Sequence, residues 1–335
     1  MSRAPDPRLV VQAAPFLRSQ VSTPRIMGDV LVALAPALAA GVWFFGLSAL
    51  LVVLAATAAC VATDWAFGGR ASVRDLSAVV TGVLVGLVLP PSLPLWMAAL
   101  GGFVAIGLGK AAWGGLGHNL FNPALVGRAF LQAAFPIALT TWVPSQGPLA
   151  LYRGNFALPF LHASTDAVSS ATPLGQMKFL GAATPLADLF WGNVSGSIGE
   201  TSAAAILLGA LYLLARRTFD WRLPAGMLGA AALLAEVVHQ VAPARYPGAL
   251  FTLLSGGLLF GAVYMASDPV TSPLAPRGAW IFAAGAGVLV VLIRFWGGLP
   301  EGVMYAILLM NAASPLIDRA LQPRRFGARA PRESR

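Results

Sequence analysis

Long apolar runs separated by short polar or basic breaks fill the chain from about residue 26 to residue 317. A bilayer core takes about 20 apolar residues per helix, with roughly 17–25 tolerated. By that measure the pattern predicts about ten membrane helices: 26–45, 47–66, 76–92, 94–109, 120–141, 201–215, 223–242, 248–266, 279–295 and 300–317. Several are short or interrupted by Gly and Pro, which membrane helices accept where neighbours satisfy the freed backbone groups. The expected fold is an all-α polytopic membrane protein. It would comprise a cytoplasmic segment 1–25, a first transmembrane bundle 26–141, an outer loop 142–200, a second bundle 201–317 and a basic cytoplasmic tail 318–335.

Composition narrows the class further. Of 335 residues, 57% are hydrophobic and only 10% charged, whereas a soluble domain carries about 25% charge. So much apolar surface also excludes a disordered chain. The single cysteine, Cys60, excludes a disulfide scaffold, a cysteine-only metal site and an iron–sulfur cluster held by this chain alone.

The net charge of +9 does not point to nucleic acid, because the arginines flank apolar runs and form no basic stripe with interleaved aromatics. It works instead as an orientation signal. With the N-terminus inside and ten alternating spans, 18 of the 22 Lys and Arg fall on the inner side or close to it. The exceptions are Arg153, Lys178, Arg245 and Arg294. That asymmetry fits the positive-inside rule and predicts an N-in, C-in topology. The first apolar run is longer than a signal-peptide core and is expected to stay uncleaved.

Five spans per half would place two similar halves in opposite orientation, an inverted repeat of the kind transporters use. Two echoes agree with it. Leu-Pro-Pro-Ser-Leu-Pro (89–94) precedes the fourth span as Ser-Asp-Pro-Val-Thr-Ser-Pro (267–273) precedes the ninth. Gly-Gly-Leu-Gly-His-Asn (114–119) precedes the fifth as Gly-Gly-Leu-Pro-Glu-Gly (297–302) precedes the tenth.

Three polar islands interrupt this apolar background. The first, 114–128, combines glycines with His118, Asn119 and Asn122; it reads as a re-entrant loop beside a pore or cofactor, or as a Gly-rich turn. It lacks the order of a phosphate-binding P-loop. The second, 267–273, carries Asp268, either a ligand or a cap for the next helix. Asp29, Asp64, Glu236 and Glu301 lie near span ends, and ionisable groups at membrane depth are functional candidates. The third island, 166–178, has no histidine placed to activate Ser169, Ser170 or Thr172, so no nucleophilic catalysis is expected, nor any zinc site.

The stretches Thr23-Pro-Arg-Ile-Met27, Trp43-Phe-Phe-Gly46, Gly-Gly-Leu-Gly-His-Asn-Leu-Phe-Asn-Pro-Ala (114–124), Gly196-Ser-Ile-Gly-Glu200, 267–273, Leu299-Pro-Glu-Gly and Ala306-Ile-Leu-Leu-Met-Asn311 carry a resemblance. In this order they resemble the D subunit of the Rnf ion-translocating electron transport complex, a family homologous to the B subunit of the sodium-pumping quinone reductase.

The resemblance implies a flavinylation motif Asp-x-x-Ser/Thr-Gly-Ala-Thr in the outer loop, matched here by Asp166, Ser169, Ala171 and Thr172, with Ser170 in place of the common glycine. Thr172 would carry FMN through a phosphodiester installed by a separate flavin transferase, on the periplasmic side of a bacterial inner membrane. Ala183-Thr184-Pro185-Leu186 repeats the tetrapeptide around Thr172, but Lys178 stands where the aspartate should be. A non-covalent riboflavin between the helices is a further implication.

By the same resemblance, the chain relays electrons within a complex that couples ferredoxin/NAD electron transfer to Na⁺ or H⁺ translocation. It would not be catalytic alone, since the cysteine set and dinucleotide fingerprint must lie on partner subunits. Two alternatives stand beside this reading. The B subunit of the quinone reductase normally has a longer N-terminal extension, and a flavin-free channel or transporter would need only the inverted repeat.

Overall fold

The computed structural model describes residues 22–159, 170–243 and 245–321. Asp166 and Ser169 of the predicted motif lie outside the described residues, as do most of the N-terminal segment and of the basic tail. The described residues contain helices and turns and no strand.

Eight helices build the bundle: α1 Thr23–Val73, α2 Ser77–Leu87, α3 Leu95–Gly107, α4 Pro123–Ala134, α5 Ala203–Arg216, α6 Arg222–Val241, α7 Pro276–Trp296 and α8 Val303–Ala320. Four helical stretches are long and apolar enough to cross a membrane by length and composition: Thr23–Arg70, Leu95–Trp113, Arg222–Val241 and Pro276–Trp296.

A straight helix of the 51 residues of α1 would be about 77 Å long. Yet Ile26, near its start, and Lys110, the ion-pair partner of Asp64 near its end, line one cavity. The chain therefore turns back on itself at Gly46, whose φ of 71° only glycine adopts without strain. The predicted spans 26–45 and 47–66 are the two arms of this hairpin.

Other predicted spans are cut by their own sequence. The 76–92 span is helical only to Leu87, ahead of the Pro90–Pro91 pair. Pro136 ends the long helix expected over 120–141, leaving α4 and a single turn at Pro136–Thr140. The run 248–266 divides at Ser255-Gly256-Gly257 into Ala249–Leu254, a turn Leu258–Phe260 and a π-turn Gly261–Met265. Proline removes a donor and clashes with the preceding turn, and the glycine pair weakens helix continuity.

Close approach holds the interior together. Gly82 and Gly86 of α2 share one face, and a Cβ on Gly86 would meet Val53 Cα at 2.6 Å. This is the small-residue spacing by which membrane helices pack without a hydrophobic drive between them. The outer surface is apolar instead: Val32, Leu54, Phe103, Leu208, Leu233, Ile281 and Leu309 are all exposed. Exposed tryptophans gather at the two ends of the bundle. Trp65, Trp113, Trp221 and Trp280 stand at one end, and Trp43, Trp191 and Trp296 at the other. Large apolar flanks between two aromatic belts suit lipid and not water.

Candidate functional site: two polar cavities at opposite ends

Two cavities open in the bundle, of about 840 and 820 Å³ when the open solvent at their mouths is included. The loop before α7 (Asp268–Val270) lines one, and the loop after it (Leu299–Glu301) lines the other. A helix of 21 residues is about 31 Å long, so the cavities lie at opposite ends of the bundle. We call them the Thr172 cavity and the Asn119 cavity.

Thr172 begins a short turn. Its hydroxyl oxygen accepts from the N–H of Gly175 at 3.1 Å, and Pro173 occupies the first helical position. Threonine and proline in this order form a favourable N-terminal cap. Pro173, Leu174 and Gly175 are buried, while Thr172 itself is half-buried on the cavity wall. Two anchors fix this segment. Ser170 donates its N–H to Trp142 O at 2.9 Å and its hydroxyl to Ser195 Oγ at 2.8 Å. Lys178 donates to the carbonyls of Arg294, Gly297 and Leu299 at 2.8, 2.6 and 2.9 Å. Those carbonyls lie in the last turn of α7 and just beyond it, where a cation also offsets the helix dipole. Desolvation lowers the Lys178 pKa from its ordinary value. Thr184 lies off this wall; its hydroxyl contacts Gln176 Oε1 at 3.4 Å.

The floor of the Thr172 cavity is charged. Arg128 of α4 pairs with Glu200 at 3.0 Å, both side chains less than one-tenth exposed. Arg294 of α7 pairs with Glu301 at 3.2 Å and donates to Thr252 O and Ser255 O at 2.7 and 3.1 Å. Glu301 is thus brought to Thr172, a proximity that sequence reasoning missed along with the Arg128–Glu200 pair. The partners in that pair are 72 residues apart, and no local pattern announces them.

At the other end, Asn122 caps α4 by accepting from Ala124 N and Leu125 N at 3.0 and 3.4 Å. Its own N–H donates to Asn311 Oδ1 at 3.2 Å, and Asn311 Nδ2 donates to Thr271 O at 3.2 Å, joining the two halves of the chain. Asn119 is buried and donates to Phe121 O, while its Oδ1 has no partner among the described residues. Asp268 also lines this cavity, but it does not cap α7. It accepts from Val270 N at 3.1 Å within its own turn, whereas α7 starts behind Ala275 without a side-chain cap. The 268–272 turn precedes Ala275, so the carboxylate is spent on its own turn and not on that terminus. His118 is exposed and does not line the cavity. Lys110 is buried with Asp64 and Ser77, each at 2.8 Å.

A bundle with apolar flanks, two tryptophan belts and one polar cavity at each end defines an integral helical membrane protein. The family model described as NQR2, RnfD, RnfE matches residues 10–327, and the chain belongs to that family. It is 42% identical over 336 residues to the D subunit of the ion-translocating oxidoreductase complex of Stutzerimonas stutzeri, covering 94% of each chain. To the D subunit of the proton-translocating ferredoxin:NAD(+) oxidoreductase complex of Clostridium ljungdahlii it is 39% identical over 333 residues, covering 95% of this chain and 96% of the relative. The Na(+)-translocating counterpart of Acetobacterium woodii is 39% identical over 329 residues, with 95% of each covered.

Proposed function

We propose that this chain is the D subunit of an Rnf-type ion-translocating ferredoxin:NAD oxidoreductase complex, in which it relays electrons through FMN attached to Thr172. The observation that carries this reading is the placement of Thr172. Its half-buried hydroxyl lies on the wall of the open Thr172 cavity. The lining fits a flavin ring: Trp142, Leu189 and Met304 offer apolar faces, and Gln132, Ser195 and the unpartnered hydroxyl of Thr201 offer hydrogen bonds. Thr172 would hold the group by a phosphodiester, and the bound flavin would supply the electron-carrying chemistry. Lys178 and Ser170 keep the acceptor segment on the cavity wall, and the tether raises the ring's local concentration there.

The Asn119 cavity suits a second, non-covalent riboflavin. Its buried Asn119 oxygen lacks a partner, and Asn122 and Asp268 stand beside it.

The topology that goes with this reading has ten crossings, both termini inside and the 142–200 loop in the periplasm, where a flavin transferase would reach it. The sequence echoes support an inverted repeat. Leu116 of the first Gly-Gly-Leu lines the Asn119 cavity, and Leu299 of the second lines the Thr172 cavity, at opposite ends.

The test is ultraviolet fluorescence of the denatured protein on a gel, with mass spectrometry of the 154–178 peptide. Thr172→Ala abolishes the fluorescent band, and Thr184→Ala keeps it. The reverse pattern moves the attachment to Thr184, and a native chain without fluorescence ends the flavin reading.

A further inference from the structure

Two carboxylates converge on one backbone position at the floor of the Thr172 cavity. A Cβ built on Gly257 would meet Glu200 Oε1 at 2.6 Å, while the Gly257 N–H donates to both oxygens of Glu301 at 3.3 Å. The neighbouring Gly256 packs against Leu174, two residues beyond Thr172, and against Glu301 Oε2. The acceptor segment and the carboxylate pair are therefore joined through a single pair of glycines.

Unpartnered groups gather at the same place. Six buried side-chain polar atoms lack a hydrogen-bond partner among the described residues, and four belong to this node: Ser197 Oγ, Thr201 Oγ1, Ser255 Oγ and Arg294 Nε. Ser197, Thr201 and Ser255 are at most 2% exposed, and Thr201 lines the cavity. Leaving a buried polar group unpaired is costly, so four together mark a place built for something besides the protein. A row of hydroxyls beside carboxylates suits water and a mobile proton.

Charge selects the proton over other ligands. Arg128 from α4 and Arg294 from α7 already balance Glu200 and Glu301, and Lys178 stands close by at the Arg294 carbonyl. A metal cation would meet two guanidinium groups, and an anion would meet two carboxylates. A proton instead joins a carboxylate covalently.

We propose that Glu200 and Glu301 share a proton which they exchange with the flavin carried on Thr172, so that this node is the proton-binding site of the electron relay. This rests on the Thr172 reading above. With the flavin bound, the carboxyl pair would give up one proton when an electron pair from the complex reaches the ring. Both glutamates are then ionised opposite both arginines. When the electron pair leaves, the proton returns to the glutamates or to water at the cavity mouth. Burial, and next the Glu301 carboxylate, push Glu200 up to about 7 against the pull of Arg128. Glu200 thus holds its proton below neutral pH and loses it as the pH rises through that value.

The test is the midpoint potential of the attached flavin against pH, followed by its absorption in the purified complex. The native potential is nearly level below about pH 7, where the carboxyl pair supplies the proton, and falls with rising pH above it, where water must. Glu200→Gln and Glu301→Gln both lose that change of slope. Because Glu200→Gln strands Arg128, the double variant Glu200→Gln with Arg128→Gln keeps the node neutral and loses the slope change too. Ser255→Ala leaves the equilibrium profile in place but slows proton uptake on reduction, read with an indicator dye. An unaltered slope change in the glutamate variants, with the fluorescent band intact, overturns proton exchange and leaves the tether standing. A native chain with no band overturns both.

Discussion

The Thr172 cavity and the Asn119 cavity use buried charge in different ways. At the Asn119 end, the Lys110 ammonium is saturated: it meets Asp64 and Ser77 at 2.8 Å, Ser72 at 3.4 Å and Asp75 at 3.9 Å. At the Thr172 end, two arginine–glutamate pairs lie beside four unpartnered atoms. A saturated network fixes one geometry, because moving any member costs a hydrogen bond in a low-dielectric interior. An unsaturated one has room for water, a ligand group or a proton. The contrast assigns rigidity to the Lys110 network and exchange to the carboxylate node.

The largest expected effects come from breaking either ion pair. Glu200→Ala and Lys110→Met each strand a buried charge and should cost about 3–5 kcal/mol. Thermal unfolding read by a thiol-reactive dye on the lone, buried Cys60 measures this. The comparison sharpens when both partners go. Replacing Arg128 and Glu200 together with methionine should recover most of the loss. Replacing Lys110 and Asp64 together should not, because Ser77 then loses its partner as well. Equal recovery at both ends would erase the distinction.

A smaller effect is expected at the strap. Lys178→Met removes three hydrogen bonds to the end of α7, leaving carbonyls short of donors at about 1–3 kcal/mol. Flavin fluorescence per chain should drop with it, while Lys178→Arg restores part of the signal. The smallest is Asn122→Ala, which removes the α4 cap at about 1 kcal/mol. Chromatography of released flavins should then show less riboflavin with covalent FMN unaffected, the opposite of Thr172→Ala. Loss of both flavins in either variant would mean that the cavities are not independent.

Much of the architecture was legible because hydropathy and helix length obey the same ruler. The stretches 94–109, 223–242, 279–295 and 300–317 correspond to α3, α6, α7 and α8 within a few residues. The breaks at Pro90, Pro136 and Gly256 were harder to read, since membrane helices often run through Pro and Gly. Whether they do depends on the neighbours available to take the freed backbone groups. Ser170 in place of the motif's glycine looked like a departure; its hydrogen bonds to Trp142 and Ser195 give it a positioning role. Two exceptions in the charge count prove to be bonded: Lys178 caps α7, and Arg294 holds Thr252, Ser255 and Glu301.

The sequence by itself determined the class of molecule and its apolar stretches. Hydropathy and motifs are local, and each is complete within a few dozen residues. Only the tertiary structure decided which ionisable groups share a cavity. Arg128 and Glu200, or Gly257 and Glu301, meet through packing across 72 and 44 residues of chain. That packing follows from how the helices turn back and fit together, which no single stretch of sequence records.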